Sequence, residues 1–204
     1  MELYDTEEQQ VEAIKDWWKE NGKAVIFGAV IGLGGLFGWR YYQDSVTAAQ
    51  EAASESYTKM VTALSASGVD AESNVQSFID NNKGKEYSVL AALQLAKVQV
   101  EAGQIDEALA QLEWAKANTK DAAILPLATY RVARIKSEQG NYDAALADLA
   151  TISDENWAGR IAELRGDILL RKGDIDAAYA AYTEAQQADD ASQTLQMKLD
   201  DLAK

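Results

Sequence analysis

The ionisable chemistry of this sequence is confined to 33 Asp and Glu, 19 Lys and Arg and nine Tyr side chains, because the chain contains neither Cys nor His. Thiolate attack, proton transfer by imidazole and the commonest zinc and iron ligation therefore lose their usual groups. Carboxylates can still hold magnesium or exchange protons. However, no Asp/Glu series has calcium-loop spacing, and there is neither a Gly-rich phosphate loop nor a Gly-x-Ser-x-Gly elbow. The expectation is a protein that is not an enzyme and has no catalytic residue, cofactor or metal. What remains is recognition. Lys97, Tyr130, Arg134, Arg160, Glu163 and Asp167 combine both charge signs with an aromatic ring, side chains suited to gripping another polypeptide if folding lines them up on one surface. Solvated charges on exposed helix faces account equally well for any one of them.

The elements that would position these residues follow from composition and self-similarity. An Ala-rich chain of 204 residues with a single Pro favours helix throughout. Three segments place a Gly five residues before a small residue: Gly103 with Ala108, Gly140 with Ala145, and Gly173 with Ala178. Leu112, Leu149 and Tyr182 follow four residues on, then Ala115, Ile152 and Ala185. The anchors are 37 and 33 residues apart, bracketing the tetratricopeptide period. Gly166, with Ala96 and Ala133 in the equivalent places, supplies the small residue that lets paired helices approach. Each hairpin cannot bury its apolar face alone, so the fold class is all-α, a stacked solenoid of helical hairpins with a groove. The six candidates are first-helix positions not needed for packing. Trp114 and Trp157 read as core aromatics, not groove anchors.

The N-terminal part differs in kind. Ala24 to Trp39 carries no charged or polar side chain, with Lys23 and Arg40 at its edges and Tyr41 and Tyr42 beyond, the pattern of a single transmembrane helix. A cleaved signal peptide, with Val46-Thr47-Ala48 as a loose cleavage site, competes with this reading. The long acidic segment before the span and the Arg40-Tyr41-Tyr42 edge favour an uncleaved anchor. Ahead of it, Thr6-Glu7-Glu8-Gln9 forms a capping box, Val11, Ile14 and Trp18 recur at helical spacing, and Asn21-Gly22 reads as a stop. Within the span, Gly28, Gly32, Gly34 and Gly38 form two small-residue pairs on which another membrane helix could pack. After it, Val46, Ala49, Ala53, Tyr57, Met60 and Leu64 predict a long helix ending at Ser67-Gly68. A second helix around Val75, Phe78 and Ile79 ends before Gly84.

Lys15, Lys19 and Lys23 precede the span and only Arg40 follows it closely, so the N-terminus is expected in the cytoplasm and the large C-terminal part across the membrane. The organisation read here is a tail over 1–23, an anchor over 24–42 and a repeat domain over 43–204. The net charge is −14, most of it after the anchor. Such a surface repels phosphate backbones, so no nucleic acid is expected as partner.

Gln10 to Gln43, with its Val-Glu-Ala, Glu-Asn-Gly-Lys and Gly-Trp-Arg-Tyr elements, closely resembles the start of the YfgM family, the ancillary SecYEG translocon subunits of Gram-negative bacteria. Asn156 to Asp174 is similar to that family's last repeat, and Gln196-Met197-Lys198-Leu199 to its terminal helix. The resemblance implies a single-pass inner-membrane protein with a periplasmic tetratricopeptide-like domain. Its implied partners are SecYEG, the membrane-anchored chaperone PpiD, and other periplasmic chaperones with their translocating clients. No catalytic residue is implied. An alternative of another class is a regulator whose tail, Thr6 to Glu20, sequesters a cytosolic stress-response protein.

Overall fold

The computed structural model describes residues 7–202, and among these every regular element is helical. Two compact units divide the chain after Ser54, and each is considered by itself.

The first unit is the greater part of a single continuous helix, α1 (Glu7–Ser67). The expected stop at Asn21-Gly22 does not occur. Asn21 Nδ2 donates to the Trp17 carbonyl at 3.1 Å, and the Trp18 ring covers Gly22 closely enough that a Cβ there would lie 3.2 Å from it. One interior Gly costs about 1 kcal/mol of helix propensity, too little to break a helix that continues into an apolar run. The capping Thr6 lies outside the described residues. From Ala24 to Tyr42 the rise is about 28 Å at ~1.5 Å per residue, near the ~30 Å hydrocarbon thickness of a bilayer. Phe27, Phe37 and Trp39 are 72%, 65% and 62% exposed. Among the described residues this is the one helix long and apolar enough to cross a membrane.

The second unit begins with the end of α1, where Met60 and Leu64 are buried and the Tyr57 ring lies 6.3 Å from Phe78 and 5.3 Å from Tyr87. The predicted stop is real: α1 ends at Ser67, and Gly68 has φ +56°. A 3₁₀ turn (Gly68–Ala71) leads to α2 (Glu72–Asn81). Three hairpins follow: α3 (Glu86–Glu101) with α4 (Ile105–Asn118), α5 (Ile124–Glu138) with α6 (Tyr142–Leu149), and α7 (Ala158–Lys172) with α8 (Ile175–Gln186). Helix α9 (Leu195–Leu202) closes the stack. The single proline, Pro126, falls in the first turn of α5, where a missing N–H breaks no intrahelical bond.

The repeat arises from local backbone chemistry. Gly103, Gly140 and Gly173 turn the hairpins at φ +79°, +78° and +90°. The next residue's N–H in each case reaches back to the last helical turn: Gln104 to Gln99, Asn141 to Lys136 and Asp174 to Leu169, at 2.8, 2.8 and 2.9 Å. This is the left-handed helix ending that glycine makes at least cost. Five residues later, Ala108, Ala145 and Ala178 are completely buried between the paired helices. The apolar core runs from Met60 and Leu64 through Leu95, Leu112 and Val132, then Leu149 and Ile168, to Tyr182, Leu195 and Leu199.

Candidate protein-binding groove

The repeat register aligns five of the six candidates in two rows. Lys97, Arg134 and Asp167 are equivalent positions of α3, α5 and α7, as are Leu93, Tyr130 and Glu163.

At the α3 end, α3, α4 and α5 enclose a cavity of about 410 Å³. Leu93, Ala96, Leu112 and Ile135 are its buried apolar lining, Val100 is a 42% exposed apolar wall, and the candidates Lys97 and Arg134 stand on it. Lys97 reaches Glu101 at 3.7 Å, a loose exposed pair that contributes little. Glu138 on the same wall is taken by Arg171 at 2.6 Å. The cavity also brings in Arg131, which was not among the candidates and whose repeat equivalents are Gln94 and the buried Leu164. Burial, and then the charge of Arg134, pull the Arg131 guanidinium below its ordinary pKa.

The middle of the face is aromatic. The Tyr130 ring lies 5.6 Å from Trp157, and the Arg160 guanidinium sits 5.1 Å over the same indole. Burial pushes the Tyr130 phenol up. Trp114 packs on the core as expected. Trp157 does not join the apolar clusters; it is half-buried between Tyr130 and Arg160. The backbone N–H groups of Gly159 and Arg160 donate to Asp190 at 2.7 and 3.3 Å, so the loop before α9 caps the N-terminus of α7, where an anion is favoured.

At the far end Glu163 and Asp167 meet α9. Lys198 Nζ lies 2.9 Å from Glu163 and 2.6 Å from Asp167. The Tyr182 hydroxyl donates to Asp167 at 2.7 Å, and Ser192 Oγ to Glu163 at 2.9 Å. Burial acts to lower the Lys198 ammonium, but the bonds from Asp167 and Glu163 more than offset it and leave its pKa raised. Burial and the bond to Asp167 push the Tyr182 phenol up. These two carboxylates thus hold the closing helix, whereas Lys97, Arg131 and Arg134 line the open cavity. Gly28, Gly32, Gly34 and Gly38 on α1 have open space where a Cβ would stand.

A family model for a tetratricopeptide repeat-like domain matches residues 15–204. The ancillary SecYEG translocon subunit of Escherichia coli is 37% identical, with the whole of both chains covered. The protein of that name from Haemophilus influenzae is 33% identical over 96% of this chain and 97% of the relative. Its namesake in Neisseria gonorrhoeae is 28% identical over 96% and 97%. With its α1 anchor candidate, its glycine-turned hairpins and this full-length similarity, the chain belongs to the YfgM family of tetratricopeptide-like ancillary SecYEG translocon subunits.

Proposed function

We propose that the chain is a non-enzymatic, protein-binding ancillary subunit of the SecYEG translocon that passes newly translocated proteins to periplasmic chaperones, PpiD among them. Residues 1–23 form the cytoplasmic tail, 24–42 the inner-membrane anchor and 43–204 the periplasmic domain. The observation that carries the reading is a repeat face with an open, apolar-lined cavity at one end, continued by the half-buried Tyr130 and Trp157 with the exposed Arg160, in a chain that also bears a membrane-length apolar helix. The lysine bias before that helix supports the orientation.

The mechanism is tethering. An anchor confines the repeat domain near the translocon exit and raises its local concentration toward about the millimolar range expected of short linkages, so weak groove contacts suffice. In-cell photo-crosslinking from probes at Gly32, Tyr130 and Arg160 tests it. Translocon subunits trapped at Gly32, with chaperones or clients trapped at Tyr130 and Arg160, are the expected products. Cytosolic products alone would replace this reading with that of a regulator acting through the tail.

A further inference from the structure

We infer that the cavity between α3 and α5 is a docking site for unfolded client segments in which acidic side chains alternate with apolar ones. The inference rests on the protein-binding reading above and deepens it. Two observations carry it. The first is charge. The protein has a net charge of −14, and basic side chains elsewhere in the repeat unit, such as Lys116, Lys136, Arg165, Arg171, Lys172 and Lys198, are matched to carboxylates. Arg131 and Arg134, one helical turn apart on the cavity wall, make no ion pair or hydrogen bond among the described residues, whereas the wall's carboxylates, Glu101 and Glu138, are paired with Lys97 and Arg171, Arg134 acting on Glu138 only at longer range. Arg131 is moreover half-buried beside that like charge. The partly desolvated Arg131 guanidinium, crowded by the exposed Arg134, is stabilised by an incoming carboxylate, which a planar fork can bind through two hydrogen bonds.

The second observation is the lining. Leu93 and Ile135 are buried beneath the cations, and Val100 stands 42% exposed beside them, so the site offers apolar burial and positive charge side by side. The cations are spread over two helices, Lys97 on α3 and both arginines on α5. That distribution suits carboxylates spaced along a segment, not a single terminal carboxylate. A second copy of the chain is disfavoured as occupant by self-repulsion between two strongly acidic surfaces.

The test is fluorescence anisotropy with the full chain in nanodiscs and three labelled peptides sharing one Leu/Val sequence: one with interspersed Glu and an amidated end, one with Gln in place of Glu, and one Glu-free with a free C-terminal carboxylate. The Glu peptide is expected to bind about tenfold or more tightly than the other two. The double variant Arg131→Gln/Arg134→Gln should remove that preference, whereas Lys120→Gln, outside the cavity, should keep it. Arg134→Glu should instead select a peptide with Lys in place of Glu, a gain that a misfolded variant cannot produce. Equal binding of the Gln peptide, stronger binding of the free-carboxylate peptide, or a dimer broken by the arginine substitutions would overturn the inference. Failure of the peptide series with Gly32 crosslinks to the translocon intact removes only this assignment. Loss of those crosslinks with peptide selectivity intact removes the translocon reading instead.

Discussion

The ring of Tyr182 lies directly against Gly166, so that a Cβ at position 166 would fall on the ring, while the phenol of the same side chain donates to Asp167. In the other two repeats the equivalent pairs are Ala96 with Leu112 and Ala133 with Leu149. The third repeat has thus exchanged a methyl on one helix for a larger ring on the other. Gly166→Ala is expected to destabilise the protein by about 1–3 kcal/mol through overpacking. Adding Tyr182→Leu should recover part of that loss, with a coupling term visible in a double-mutant cycle by urea unfolding. Additive losses would mean that the two residues do not share the space.

Lys198 holds α9 through Glu163, whose side chain is only 13% exposed, and Asp167. Removing one partner of a partly buried pair strands the other, so Lys198→Met should cost about 1–3 kcal/mol and speed amide exchange in α9 first. Folding raises the pKa of Lys198 and of the Tyr182 phenol. Stability from a raised group is complete below its unfolded pKa and is lost as pH rises through the folded one. Chemical denaturation should therefore show stability falling above about pH 10, less steeply in Lys198→Met.

Asp148 on α6 is shared by Lys116 of α4 at 2.6 Å and Lys136 of α5 at 2.9 Å, joining the first and second hairpins. Burial opposes its ionisation, but the two lysine hydrogen bonds prevail and leave its pKa lowered. Its contribution is present above the unfolded value of about 3.9 and disappears as pH falls through the folded value. Asp148→Asn should lower stability by about 1–3 kcal/mol near neutrality, with the difference from wild type shrinking below about pH 4. A pH-independent difference would refute the ionic account.

Leu33 lies near the middle of the uncovered apolar run and is 58% exposed. Arg at the centre of a spanning helix costs about 2.5–3.5 kcal/mol on insertion scales. Leu33→Arg should thus shift the chain from the carbonate-resistant membrane fraction toward the extractable one, and Leu33→Phe should leave it in place.

Much of this architecture is legible residue by residue. Gly103, Gly140 and Gly173, with their buried alanines, announce three hairpins because a left-handed helix ending and a close helix approach are local demands met by few residue types. The apolar run from Ala24 to Trp39 is equally plain, since Lys23 and Arg40 at its edges and Tyr41 and Tyr42 beyond separate so short a run from an ordinary core helix. Asn21-Gly22 misleads for the converse reason: it is a weak local stop inside a strong helical context, and Trp18 closes over the glycine.

Sequence by itself therefore determined the helical class, the repeat register and the anchor candidate, and it set Lys97, Tyr130 and Arg134 on the first helices of their repeats. Tertiary structure alone decided what each candidate touches. Glu163 and Asp167 are bound by Lys198, 31 residues beyond Asp167, Trp157 is drawn out to Tyr130 and Arg160, and Arg131 is turned into the cavity without a partner. Periodicity states which face of a helix a residue occupies, whereas its partner depends on how distant helices pack against that face.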